Sequence, residues 1–243
     1  ELLQYAGHAA RDLYLTSAAA ERHTDIVALA GEARVPVRRC TDEVLAVMTD
    51  TAHPQGMIAV ADPIDVPLEE ALTVATGSTD SGAGTGISTE TTAGLPFVVV
   101  LTNVRDPGNA GTVLRAADAF GAAAVLVSDA SVDIYNPKVV RSTAGSLFHL
   151  PVSVGTPVAQ LLAACREAGL RVLAADGSGE TTLPEVDLSV PHAWVMGNEA
   201  WGLEPEVRDL CDDVVSIPIV RAESLNLAMA ATVCLHASSS AAR

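Results

Sequence analysis

Lysine is almost missing from this chain. Of 14 Lys and Arg side chains only Lys138 is a lysine, set against 30 Asp and Glu, and the formal net charge is −16. That balance weighs against a protein that grips nucleic acid over a broad cationic surface, because phosphate binding draws on clustered Lys and Arg. It leaves room for a local basic patch on an otherwise acidic, solubilising surface. No apolar run approaches the roughly 18 residues of a membrane-spanning helix. No charged-then-apolar signal peptide opens the sequence, so a cytoplasmic location is expected. The four cysteines, Cys40, Cys165, Cys211 and Cys234, form no C-x-x-C pair. They read as small buried hydrophobes in a reducing compartment rather than as disulfides or metal ligands. Neither G-x-G-x-x-G nor a Walker motif is present, which removes the commonest dinucleotide and phosphate-loop readings.

What is present is a large core, with 49% hydrophobic residues in 243. Residues 1–66 alternate short elements: a strand at Leu13–Thr16, a helix from Ser17 to Ala30 stopped by Gly31, a strand at 35–37, a helix from Asp42 to Met48 capped by Thr41, and a strand at Met57–Ala61. They read as a small α/β module. The opening residues, Glu1 to Ala6 before Gly7, read as the tail of a helix whose start is missing. A helical piece near Leu68–Leu72 leads into Gly-, Ser- and Thr-rich text from Thr76 to Gly94, and 67–95 reads as a linker. From Pro96 the strands become continuous apolar runs at 97–101, 124–127, 170–175, 193–196 and 214–217. Helices are expected at Thr112–Phe120, Pro157–Ala168, Pro205–Cys211 and Leu225–Ser238. Unbroken hydrophobicity means burial on both faces, hence a parallel sheet covered by helices over 96–243.

Three segments carry the chemistry. In the first, Asn103 to Arg115, a strand ends in a Pro-Gly turn and Asn109 is placed to cap a helix with the apolar face Val113, Leu114, Ala117 and Phe120. Arg115 lies off that face. A helix start after a strand favours anions, and Arg115 would add a planar donor fork. In the second, Gly197 lets the backbone approach closely after a buried strand, and Glu199 is a lone acid between glycines. The third runs from Ile217-Pro218 to Asn226. Ser224 fits a capping position there, and Asn226 falls just inside a helix, where asparagine is unfavourable. Each segment alone also has a plain reading as a cap or a solvated side chain.

Taken together, in this order and spacing, these segments resemble the SpoU/TrmH class of the SPOUT methyltransferases, and 1–66 resembles the L30e/L7Ae-type RNA-binding module. The resemblance covers about Pro96 to Ala237 and rests on Asn-x-Gly-x-x-x-Arg, Gly-x-Glu-x-x-Gly-Leu and Ile-Pro…Ser-Leu-Asn. It implies an α/β domain with a parallel sheet and a C-terminal deep trefoil knot, a departure from the usual rule against knots, in a homodimer. It implies S-adenosylmethionine-dependent methylation of an RNA ribose 2′-hydroxyl, in 23S rRNA more than in tRNA. It further implies Asn109, Arg115, Glu199, Ser224 and Asn226 on the catalytic side and Gly197, Ile217 and Leu225 around the cofactor, with no metal. Two other readings stand beside it: an RNA-binding protein of this fold that has lost catalysis, and a nucleotide-dependent α/β enzyme of another kind. One departure from the family pattern is the lack of glycine between Pro218 and Ser224.

Overall fold

A computed structural model describes residues 1–49, 51, 54–77 and 96–241. The chain divides into two compact units, Glu1–Ile64 and Asp65–Arg243.

The first unit runs α1 (Leu2–Tyr5), a short 3-10 turn (Gly7–Ala9), β1 (Ala10–Leu15), α2 (Ser17–Arg22), α3 (Thr24–Glu32), β2 (Val37–Arg39), α4 (Asp42–Val47) and β3 (Met57–Ala61). Strand β1 is central, parallel to β2 and antiparallel to β3. Thr16 and Thr41 cap α2 and α4, accepting from Ala19 N–H and Val44 N–H. Leu13, Leu15, Ala19, Ala20, Ala30 and Val35 form its core. The single helix expected from Ser17 to Ala30 is two helices, because His23 leaves helical geometry at φ −119°. Gly31 lies inside α3 rather than after it, and the chain turns at Arg34, with φ 58°.

The second unit holds α5 (Leu68–Thr76), β4 (Phe97–Leu101), α6 (Pro107–Phe120), β5 (Ala124–Ser128), α7 (Pro137–Ser142), β6 (Val152–Thr156), α8 (Val158–Glu167), β7 (Arg171–Ala175), β8 (Thr181–Thr182), β9 (His192–Met196), α9 (Pro205–Asp209), β10 (Asp213–Ser216) and α10 (Leu227–Ala241). The sheet order is β6-β5-β4-β9-β7-β10-β8, and every neighbouring pair is parallel. All carboxyl ends therefore share one edge, where α/β sheets place their ligands.

Alternate strand residues point to opposite faces. Val98, Val100, Leu126, Val172, Ala193 and Val195 pack with Leu161 and Leu162 of α8, and with Ala71, Leu72 and Ala75 of α5. Residues 68–76 are thus a helix built into the core, whereas the linker reading of 78–95 falls outside the described residues. The cysteines are free. Burial pushes the thiols of Cys165, Cys211 and Cys234 up to about 12, as expected of unreactive core residues.

On the opposite face α10 is fastened to β9 by one hydroxyl. Ser238 Oγ lies 2.7 Å from His192 Nε2 and 2.8 Å from Trp194 Nε1. His192 Nδ1 lies 2.7 Å from the Val190 carbonyl, which can only accept. The imidazole then donates from Nδ1, and Ser238 accepts from Trp194 while its own proton can go to His192 Nε2 or to the Cys234 carbonyl at 3.2 Å. Donation to Nε2, the shorter contact, goes with neutral histidine. Burial, with a smaller push from Arg171, holds its pKa below the ordinary value. The unfolded chain takes up this proton near pH 6.5 and the folded chain only at lower pH, so stability falls as pH drops through that range. The thermal midpoint is expected to decline between pH 7 and 5.5, above the range where carboxylates titrate. His192→Gln, which keeps an acceptor for Ser238, should flatten the decline; an equal decline in the variant would contradict this role.

Candidate functional site

The site is assembled where β4, β9 and the start of α10 meet. Helix α6 begins with Pro at its first position, where a missing N–H costs nothing. Its cap is Asp106, whose carboxylate accepts the Asn109 N–H at 2.7 Å. The expectation that Asn109 caps this helix is therefore corrected: the helix starts earlier, and the Asn109 side chain is left to point elsewhere.

It points to Glu199. The Glu199 carboxylate accepts Arg105 N–H at 3.2 Å, Asp106 N–H at 3.0 Å and Asn109 Nδ2–H at 3.3 Å. The anion-favouring start of α6 is thus filled by the chain's own acid, which complements the helix dipole. Asn109 Oδ1 in turn accepts Asn226 Nδ2–H at 3.0 Å. Asn226 Oδ1 accepts the N–H groups of Ala228 at 2.9 Å and Met229 at 3.3 Å. Asn226 is therefore the cap of α10 and not a residue inside it, and Ser224, exposed and two residues earlier, caps nothing. The misfit of asparagine inside a helix disappears once the boundary moves. Each amide orientation follows from its neighbours: only a donor can face the carboxylate, and only an acceptor can face the two N–H groups.

The 197–203 turn is tightly closed. Asn198 and Gly202 exchange backbone hydrogen bonds of 2.8 and 2.9 Å, with Gly202 at φ 70°. A Cβ on Gly197 would lie 2.4 Å from the Gly202 backbone, so glycine is required by close approach. Two side chains not singled out in the sequence hold this turn. Asn198 Nδ2 donates to the Asn103 carbonyl at 2.7 Å, at a residue with φ 54°. Asp176, just after β7, accepts Leu203 N–H at 3.5 Å and pairs with Arg208 at 3.4 Å. Although burial alone would raise the Asp176 pKa, hydrogen bonds from Ser178 and Leu203 and the charge of Arg208 leave it lowered. The lone acid after a strand was the signal that could have marked Asp176.

Arg115 is exposed, two helical turns along α6 from Asn109. Ile217 and Leu225 are half-buried at the two ends of an irregular stretch. Among the described residues, no backbone group from Ile217 to Leu225 is hydrogen-bonded. Unpaired amides and carbonyls between two half-buried aliphatic side chains suit a flat heterocycle with donors and acceptors on its rim, such as adenine. The residues present thus fit an adenosine-bearing cofactor. Among the described residues there is no His, Cys, Asp and Glu cluster able to hold a metal ion.

Comparison with known proteins gives a consistent result. The SpoU rRNA Methylase family matches residues 96–236, and the RNA 2′-O ribose methyltransferase substrate binding family matches residues 1–67. The chain is 31% identical to the 23S rRNA (guanosine-2′-O-)-methyltransferase RlmB of Pseudomonas putida, over 96% of this chain and 90% of that one. It is 43% identical to a 23S rRNA (uridine(2479)-2′-O)-methyltransferase of Streptomyces viridochromogenes, over 54% of this chain and 47% of the relative. Among solved structures, the SpoU methyltransferase AviRb of Streptomyces viridochromogenes in complex with AdoMet superposes with a TM-score of 0.75 at 28% identity, covering 95% of this chain and 82% of that one. With a matched model over its sheet domain and a second over its first unit, the chain belongs to the SpoU rRNA methylase family.

Proposed function

We propose that this protein transfers a methyl group from S-adenosylmethionine to a ribose 2′-hydroxyl of 23S rRNA. The observation that carries the reading is the chain of hydrogen bonds Glu199–Asn109–Asn226. It joins three loops at one sheet edge, with Arg115 exposed on the helix that begins there. Relatives named for 23S rRNA ribose methylation, and a neighbour solved with AdoMet, support it.

When bound, S-adenosylmethionine would supply a sulfonium methyl group for transfer to the ribose 2′-oxygen. The chain's own contribution is position and charge. Glu199, Asn109 and Asn226 hold the α6 start, the 197–203 turn and the α10 start in fixed relation. Ile217 and Leu225, with the free backbone between them, hold the adenosine, and the closed turn at Gly197 borders the methionine part. Ser224, within this stretch and exposed, contacts the bound nucleotide. A guanidinium stays protonated throughout the working pH range. Arg115 therefore acts as a phosphate ligand and a stabiliser of developing negative charge on the 2′-oxygen, rather than as a base.

The first unit serves as an L30e-like RNA-binding module covering residues 1–66, and 96–243 is the methyltransferase domain with a C-terminal trefoil knot. The protein works as a homodimer in the cytoplasm. In support of pairing, Met229 and Val233 stand one turn apart on α10, 60% and 41% exposed, facing away from the helix's buried side.

The test is primer-extension mapping of 2′-O-methylation on 23S rRNA from cells with and without the gene. One ribose methylation that disappears with the gene is expected. Unchanged 23S rRNA alongside a lost tRNA methylation would move the substrate to tRNA, and loss of neither would favour a non-catalytic RNA binder.

A further inference from the structure

The chain has two Trp, three Tyr and three Phe side chains, and of these only Tyr5 and Trp201 are exposed. Most of the others in the second unit are occupied. Phe97 stacks on His192, Phe120 meets His236 edge-on, and the Tyr135 hydroxyl donates to Asp65. Trp194 is buried against His192 and Ser238. Trp201 is different: it is 57% exposed. Among the described residues its ring meets no other ring, and its indole N–H has no acceptor. A large apolar ring left in water forgoes the burial that would otherwise stabilise the fold.

The ring stands on a fixed backbone. Asn198 and Gly202 close the turn on either side of it with two backbone hydrogen bonds. Asn198 Oδ1 also accepts Ala200 N–H at 2.8 Å, its Nδ2 is tied to Asn103, and Leu203 beyond the turn is buried. A ring held out this way loses little freedom when it meets a ligand. Trp201 is two residues from Glu199, the acid that meets the start of α6, so it lies at the carboxyl edge of the sheet beside the proposed site. Its exposed neighbours along the chain are Glu199, Ala200, Glu204 and Glu206. A protein interface calls for a continuous apolar patch, and a phosphate would be repelled by Glu204 and Glu206. A neutral base laid on the face of the ring needs neither a patch nor a cation. Single-stranded RNA is recognised in this way, through unstacked bases laid on aromatic side chains. On a chain with a net charge of −16, an uncharged contact also supplies affinity that cations provide sparingly.

We propose that Trp201 is the stacking platform for an unstacked base of the RNA strand being methylated. The proposal rests on the RNA methyltransferase reading and adds a residue that grips the substrate through a base rather than through a phosphate.

The test is binding of full-length 23S rRNA transcript by wild type, Trp201→Ala, Trp201→Leu and Trp201→Phe, with tryptophan fluorescence followed alongside. Loss of an aromatic stacking contact lowers affinity by about 5- to 150-fold, and a loss in that range is expected of Trp201→Ala. Trp201→Leu keeps apolar bulk without a π-face and should lose nearly as much, whereas Trp201→Phe should recover most of the affinity. The salt dependence of binding should be the same in all four proteins, since no charge is removed. RNA should quench the wild-type tryptophan emission. The quench should vanish in Trp201→Phe, because the remaining Trp194 is fully buried. Thermal midpoint and S-adenosylmethionine affinity should match wild type, as suits an exposed side chain. Full RNA affinity in Trp201→Ala overturns the platform while leaving the methyltransferase reading in place. Full affinity in Trp201→Leu overturns it too, because the contact would then be apolar and not a stack. A fall in cofactor affinity, or a changed oligomeric state on sedimentation, in Trp201→Ala would assign the ring to the cofactor or to a second copy of the chain and so also overturns it. A wild-type protein that neither binds nor methylates the transcript removes both the platform and the reading it rests on.

Discussion

Arg115→Ala is expected to slow methyl transfer by at least about a hundredfold while leaving S-adenosylmethionine affinity at the wild-type value. Removing one preorganised donor aimed at developing negative charge typically costs about 10²–10³ in turnover. Alanine is the best helix former, and Arg115 is exposed, so α6 itself should not suffer. The proposed cofactor contacts lie on β9, β10 and α10 loops, not on this side chain. Single-turnover kinetics on rRNA and calorimetry with the cofactor separate the two effects. Arg115→Lys adds a finer distinction: it keeps the charge and loses the planar fork, and recovery of only a small part of the rate would assign the work to the fork. Wild-type turnover in Arg115→Ala would end the catalytic assignment. A parallel loss of cofactor binding would place Arg115 in the fold of the site instead.

Gly197→Ala is expected to damage both the cofactor side and the fold. The added methyl would lie 2.4 Å from the carbonyl group of Gly202 and 2.7 Å from Leu203 N, which are backbone atoms that no rotamer change can move aside. The Asn198–Gly202 bridge must open, and with it the anchor that brings Glu199 to the start of α6. Overpacking of this kind costs about 1–3 kcal/mol or more, and each kcal/mol lowers the midpoint of a domain this size by about 2–4 °C. Differential scanning calorimetry and cofactor titration on the same variant check it. A midpoint and affinity both equal to wild type would show that the turn tolerates a Cβ and that its tightness is incidental.

The parallel sheet was readable because its central strands carry apolar side chains to both faces. Val98, Val99, Val100 and Leu101 are fully buried, and a solvated face would have broken the run. Strand β6 was not readable for the converse reason: Val152-Ser153-Val154-Gly155-Thr156 mixes polar residues with a glycine at φ 80°, as an edge strand can. The two-residue β8 carries too little text to register at all. Helix starts were misplaced wherever two capping residue types stood within a turn of each other. Asp106 and Asn109, or Ser224 and Asn226, are equally good caps in isolation. Only tertiary partners decide between them: Glu199 draws the Asn109 amide, and Asn109 draws the free end of Asn226. The same limit hid Asn198 and Asp176, whose partners lie 95 and 27 residues away in the chain.

The strand order has a consequence for how the molecule is made. Strand β9 lies between β4 and β7, yet both of these precede it in the chain. Until residues 192–196 emerge from the ribosome, β4 and β7 each present an open edge of unpaired amides and carbonyls, the kind of surface that recruits other chains. The most central join in the sheet is therefore among the last to form, and it depends on contacts distant in sequence, which slows folding. Synthesis that pauses after Ala175 would hold the nascent chain in its most aggregation-prone form. Folding yield should be more sensitive to translation rate over this stretch than over the first unit, whose central β1 emerges before its partners.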